Sequence, residues 1–166
     1  MKRFSVLALL VLLSTAWTMP GNTDMPVPAT LQAAIFKKVI TLDRTLAARQ
    51  SAKILVVHTG SGAEEVVGAF KAAGLTASPV AEGQLAAQIG QADILYLMPG
   101  TGSAAQLAKS KGVLTLTGVP GTVESGKASV GVGLKDGKPE IIVHMGQLKA
   151  EGHDISADLL KLARVI

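Results

Sequence analysis

Short apolar runs alternate with amphipathic stretches along most of the chain. Leu31–Arg49 keeps Leu31, Ile35, Val39, Leu42 and Leu46 on one helical face, with Lys37, Lys38, Asp43, Arg44 and Arg49 turned elsewhere, and predicts a helix. Lys53–His58 (KILVVH) is short, apolar and β-branched, which predicts a strand. The loop His58-Thr59-Gly60-Ser61-Gly62 leads into a helix over Ala63–Ala73 that stops at Gly74. Leu75–Val80 predicts a second strand, weakened by Pro79, and Gln84–Ile89 a short helix. Asp93–Met98 (DILYLM) predicts a third strand. Pro99-Gly100-Thr101-Gly102-Ser103 then repeats the step from strand through glycine loop to helix, here over Ser103–Lys111. Val113–Thr117 predicts the fourth strand. Such alternation implies a parallel sheet covered on both faces.

After Gly118 the rhythm changes. Lys127–Leu134 and Glu140–Met145 predict two strands joined by Lys135-Asp136-Gly137-Lys138, and Asp-Gly between strands signals a hairpin. Gly131 and Gly133 alternate with Val130, Val132 and Leu134, leaving one face of that strand bare for a closely packed helix or a bulge. Gly146 and Gly152 bracket one polar helical turn. Ser156 is placed to cap a final helix with Asp158 in its first turn, Leu159, Leu162, Ala163 and Ile166 on one face, and Arg164 at its end. The expected fold is α/β: a mostly parallel sheet of about six strands, helices on both faces, and an antiparallel C-terminal hairpin at one edge.

Three segments carry a family resemblance. The strand at Ile141-Ile142-Val143, the step Gly152-His153-Asp154-Ile155-Ser156 and the run Leu159-Leu160-Lys161-Leu162-Ala163 resemble the end of the YfiR-like periplasmic proteins. Val113-Leu114-Thr115-Leu116-Thr117 resembles that family's leucine-threonine strand. Glu124-Ser125-Gly126-Lys127 through Gly137-Lys138 resembles the glycine turn and hairpin after it. The likeness runs from about Leu31 to the end. It implies a periplasmic regulator that holds an inner-membrane sensor or cyclase inactive, by analogy a diguanylate cyclase, and no enzyme activity. The chain departs from the family in three ways: the aromatic-Pro step after the first helix is missing, His144 stands where Asn is usual, and there is no cysteine. Redox-linked behaviour of relatives therefore has no residues to act through here.

Composition sharpens the setting. Hydrophobic residues make up 48% and charged residues 17%, enough apolar content for a core and too little charge for disorder. Lys2-Arg3 followed by the apolar run Phe4–Leu13 and the small residues Ser14 and Ala16 predicts a signal peptide over 1–16, cleaved after Ala16. The run is shorter than the ~20 apolar residues that span a bilayer. No cysteine follows to carry a lipid. A flexible leader over 17–28 and a single domain over 29–166 are expected next. Without Lys2 and Arg3 the chain carries 14 basic and 12 acidic residues. With no basic cluster beyond Lys37-Lys38 and Lys109/Lys111, and only Trp17, Phe36, Phe70 and Tyr96 as aromatics, it is expected to offer a nucleic acid no charged face and few stacking platforms.

Catalytic chemistry finds little support. The absence of cysteine excludes thiol catalysis, thiolate metal sites and disulfides. His58, His144 and His153 lack metal-ligand spacing, and no cofactor or metal is implied. No nucleophile elbow surrounds Ser61, and the neighbours Glu64-Glu65 point in different directions on their helix. The two glycine loops keep functional potential. Gly60, Ser61, Gly62, Gly100, Thr101, Gly102 and Ser103 present backbone N–H groups where strands end and helices begin. Gly60-Ser61-Gly62-Ala63-Glu64-Glu65 is a partial dinucleotide fingerprint without its third glycine, with an acidic residue, Glu82, near the expected distance. Neither loop has a Walker lysine. Two readings stand: ordinary tight turns, or a weak site for a small anionic ligand. The latter would suit a periplasmic small-ligand binder accessory to uptake. The oligomeric state, a homodimer included, is left open.

Overall fold

The computed structural model describes residues 24–49 and 51–166. The expected signal peptide and most of the expected leader lie outside them. The elements in order are α1 (Ala29–Leu42), β1 (Lys53–His58), α2 (Ala63–Ala72), β2 (Thr76–Ala81), α3 (Leu85–Gln88, flanked by two 3-10 turns), β3 (Ile94–Leu97), α4 (Ala104–Lys111) and β4 (Leu114–Thr117). There follow α5 (Pro120–Glu124), β5 (Val130–Lys135), β6 (Lys138–Val143), α6 (Met145–Ala150), α7 (Ala157–Leu160) and β7 (Ala163–Val165). The seven strands form one sheet in the order β2-β1-β3-β4-β5-β6-β7. Every pair is parallel except β5–β6.

The apolar runs become the central strands because they are buried on both sides: β3 and β4 have no exposed residue. Period-two alternation divides their side chains between two cores. Ile54, Val56, Ile94, Tyr96, Leu114 and Leu116 pack with α1 and α2. Leu55, Val57, Leu95 and Leu97 pack with α3 and α4. The aromatics Phe36, Phe70 and Tyr96 meet in the first core at centroid distances of 5.3–6.3 Å. Pro79 is tolerated because β2 is an edge strand, where a missing N–H donor interrupts no ladder.

Two expected helices differ in the structure. The first stops at Leu42, seven residues short of Arg49, and buries Gln32, Ala33, Phe36, Val39 and Ile40, while Leu31 is 41% exposed. Asp43 breaks it: its backbone is extended and its carboxylate accepts the N–H groups of Thr45 and Leu46 at 2.7 and 3.0 Å. Gln32 holds a core position because the buried Tyr96 hydroxyl needs a partner, which Gln32 Oε1 supplies at 2.6 Å. The final helix is a single turn, α7, and the chain then becomes strand β7 beside β6. Ser156 does not cap it with its side chain. Leu159 is fully buried as expected, but Leu162 and Ile166 are 70% and 41% exposed, so the expected helical face does not form. The open edge of β6 offers backbone partners to 163–166, and Val165 and Ile166 are β-branched; pairing outweighs the periodicity. The hairpin therefore lies one strand inside the sheet edge.

The hairpin itself turns through Asp136 and Gly137, both at positive φ (50° and 74°), the conformation Asp-Gly favours between paired strands. The bare face of β5 is filled by α5: a β-carbon on Gly131 would collide with Val123 Cγ2, and one on Gly133 would lie 2.9 Å from Pro120 Cγ. Val27 is only 2% exposed and its carbonyl accepts from Gln32 Nε2 at 2.7 Å, so the chain joins the fold before α1 begins.

Candidate functional site

The strand order reverses at β1. The chain leaves β1 for β2 on one side, then crosses back to β3 on the other. In open α/β sheets the crevice outside the carboxyl ends of two such strands is where ligands bind. The glycine loops flank that point and touch each other: a β-carbon on Gly100 would lie 3.8 Å from Thr59 Oγ1, and one on Gly62 would lie 3.5 Å from Met98 Cε. Gly62 and Gly100 both take positive φ, 96° and 84°, which requires glycine at each. Gly60 has open space around it, and Gly60 and Ser61 are exposed.

The loop side chains do not all face outward. Thr101 is buried and donates its hydroxyl to the Met98 carbonyl at 2.8 Å, so it braces its own loop. Ser103 donates to the Glu82 carboxylate, joining the loops after β2 and β3 around the end of β1. Beside that link a cleft of about 300 Å³ is lined by His58, Thr59, Gly60, Ala81, Glu82 and Gly83. His58 Nδ1 is buried there without a hydrogen-bond partner. Lys127 lays its stem along Gly102, its Cδ 3.0 Å from where a β-carbon would sit, and brings a cation to a loop that has none of its own. Sequence order gave no sign of this, since Lys127 comes from the connection before β5.

A second polar cluster lies at the opposite edge, where the parallel strands begin. Glu151, 1% exposed, reaches into the gap where β4 and β5 part. Its carboxylate accepts from Thr115 N at 3.0 Å, Thr115 Oγ1 at 2.6 Å, Gln147 Nε2 at 2.9 Å and the Ser129 hydroxyl. His144 caps α6 by accepting Gln147 N–H on Nδ1 at 3.0 Å. His153 Nδ1 lies 2.8 Å from Asp43 Oδ2, and as a carboxylate can only accept, the ring nitrogen donates. Burial alone would push the Asp43 carboxyl upward. The hydrogen bond and charge of His153, with the N–H groups of Leu46 and Thr45, outweigh it and hold the group below the ordinary carboxylate range. These contacts tie the end of α1 to the C-terminal segment, with Arg44 paired to Asp154 at 3.0 Å beside them. A third buried group, the Tyr96 phenol, is raised far above its usual range by burial, against the opposing pull of the Gly118 N–H.

Among the described residues no cluster of three or more His, Asp or Glu side chains is placed to hold a metal ion, and no helix is long and apolar enough to cross a membrane.

The open, mostly parallel sheet with a crevice at its switch point defines a class, the open-sheet α/β proteins. Within that class the chain belongs to the YfiR/HmsC-like family, whose profile matches residues 31–164. No curated protein matches it at a significant level. Two solved structures share the fold. One is the "ABC domain in complex with L-Trp" from Streptococcus pneumoniae, with TM-score 0.61 and 16% identity over 84% of this chain. The other is a conserved domain protein from Vibrio cholerae O1 biovar eltor, with TM-score 0.60 and 12% identity over 83% of this chain. The chain spans 60% of the length of each.

Proposed function

We propose that this chain is a periplasmic, non-catalytic regulator that binds an inner-membrane signalling protein, such as a diguanylate cyclase, and holds it inactive. Family membership over residues 31–164 carries this reading. The basic start and short apolar run of residues 1–16 support export by a cleaved signal peptide. Deleting the gene is expected to raise cellular cyclic di-GMP, and the chain restored with its signal sequence should lower it again. Affinity capture of the tagged chain from solubilised inner membranes should return the sensor or cyclase it restrains. An unchanged cyclic di-GMP level together with an empty capture would overturn the proposal.

A second reading rests on the crevice: a small anionic ligand, a carboxylate or phosphate, bound by Gly60, Ser61, Gly62, Gly100, Thr101, Gly102 and Ser103. The observation favouring it is the meeting of two glycine loops at the switch point, with Lys127 alongside. Thr101 would contribute through its backbone, since its hydroxyl is engaged. Glu82 opposes an anion from the β2 side, so affinity should be weak, of micromolar to millimolar order. The neighbour named for its L-Trp complex shares this fold, which is compatible with such a ligand-binding role, including one accessory to uptake. NMR titration with phosphate, nucleotides and small carboxylates should move the amides of Gly60, Gly62, Gly100 and Gly102. Four stationary amides at saturating ligand would remove this reading and leave the first untouched. A homodimer would be read in the same samples by sedimentation.

A further inference from the structure

The charges separate when they are placed on the fold. Lys53 opens β1 at the edge where the parallel strands begin. Lys71 lies in the last turn of α2, Lys109 and Lys111 in that of α4, and Lys149 in that of α6, and all three helices end at this edge. Lys37 and Lys38 arrive on α1, where Lys37 Nζ donates to the Ala73 carbonyl at 2.8 Å. Arg44 and Arg49 complete nine cations against four carboxylates, a net +5. Of those carboxylates Asp43 and Glu151 are buried, while Asp154 and Asp93 are taken by Arg44 and Arg49. All seven lysines are exposed, and among the described residues none of them pairs with a carboxylate. The rest of the described chain has five cations and eight carboxylates, a net −3.

Lysine in the last turn of a helix complements the helix dipole, which accounts for the position of four of the seven. It does not account for Lys38 or Lys53, or for the lack of free acids between them. We infer that this edge is a docking surface for the anionic headgroups of a phospholipid bilayer. Charge complementarity selects a polyanion. The composition then selects a bilayer over an acidic protein. Protein interfaces draw on aromatic and arginine anchors and are depleted in lysine, and both arginines here are already engaged. The exposed apolar residues nearest this edge, Val165 and Ile166, stand at its β7 end, outside the lysine array. Lysines on five separate elements form a broad field of point charges, which a headgroup plane matches and a pocket-bound ligand does not. So placed, the protein would lie on the membrane with its crevice turned away from it. This inference concerns the opposite edge from the crevice and needs neither reading of the proposed function.

Co-sedimentation of the whole chain with phosphatidylcholine vesicles, with and without phosphatidylglycerol, tests it. Each lysine near an anionic leaflet adds roughly fivefold in affinity. Phosphatidylglycerol should therefore strengthen binding by about tenfold or more, and added salt should remove the gain. The triple variant Lys109→Glu, Lys111→Glu, Lys149→Glu should lose most of that gain. The control triple Lys135→Glu, Lys138→Glu, Lys161→Glu, away from this edge, should keep it within about twofold. Residues 1–16 are common to every variant, so any binding of their own cancels in the comparison. If the first triple does not fold, Lys38→Gln, Lys53→Gln, Lys71→Gln gives the same readout with less charge change. No preference for phosphatidylglycerol, or an equal loss in both sets, overturns the inference.

Discussion

The two edges of the sheet solve opposite problems. Where the parallel strands end, backbone is left open: Gly60 has nothing within 4 Å of its missing side chain, and Gly62 and Gly100 adopt conformations that keep side chains out. Where they begin, buried carboxylates gather donors, one accepting from Thr115, Ser129 and Gln147 and another from His153, Thr45 and Leu46. The first arrangement sacrifices local packing for access. The second ties the C-terminal segment to α1 and the central strands and leaves only a rim of lysines for solvent. Open backbone and locked buried contacts thus lie at opposite ends of the same strands.

Glu151→Ala should show the largest effect. It strands donors from Thr115, Ser129 and Gln147 in a dry site and leaves a cavity, and should cost about 4 kcal/mol in chemical denaturation. A loss under about 1 kcal/mol would mean that water satisfies the cluster and that this edge is not locked. Leu159→Ala follows at about 2–5 kcal/mol, because the side chain is fully buried on α7. Lys161→Ala, exposed two residues on, should change stability by less than about 0.5 kcal/mol. Equal midpoints for these two variants would show that α7 does not anchor the C-terminal segment.

These two edges were unequally legible in the sequence. The strand–glycine loop–helix steps announce themselves locally, so β1, β3, their loops and the Asp-Gly hairpin were predictable from residue order. The locked edge depends on side chains far apart: Asp43 and His153 are separated by 110 positions, and Glu151 meets Thr115 and Ser129 only after the sheet forms. A hint existed, since Thr115 and Thr117 interrupt a strand otherwise apolar, and buried polar residues need partners. β7 was misread as helix because its spacing fits a 3.6-residue period, while the open edge of β6 that it pairs with is invisible to periodicity. The lysine rim had the same difficulty: its members are scattered from Lys37 to Lys149 and gather only where helices end.

Acid should loosen the locked edge first. Asp43 has a carboxyl held below its ordinary value of 3.8 in the folded protein. A depressed folded value means that the group stabilises the fold fully above 3.8 and ceases to as pH falls through the lower, folded value. The stability difference between the protein and Asp43→Asn should therefore be constant at neutral pH and shrink below pH 3.8. Hydrogen exchange should report the loss first at the amides of Thr45 and Leu46, which the carboxylate accepts. A difference that stays flat down to the acid transition would show that His153 does not hold this carboxylate ionised.

The smallest effect is expected at the open edge, and it separates shape from binding. Gly62 sits at φ 96°, where an L side chain is strained, so Gly62→Ala should cost roughly 1–2 kcal/mol. Gly60 has ordinary φ and open space, so Gly60→Ala should leave the denaturation midpoint within about 0.5 kcal/mol of the parent. The new methyl at 60 nevertheless projects into solvent beside the cleft that Gly60 lines. If the first loop receives an anion through its N–H groups, the crowded backbone should weaken the amide response to phosphate or carboxylate severalfold with no change in stability. A loop that is only a tight turn predicts the same two stabilities, with no amide response to phosphate or carboxylate for either variant to alter. Measuring midpoint and titration on both variants therefore distinguishes a glycine kept for the turn from a glycine kept for access.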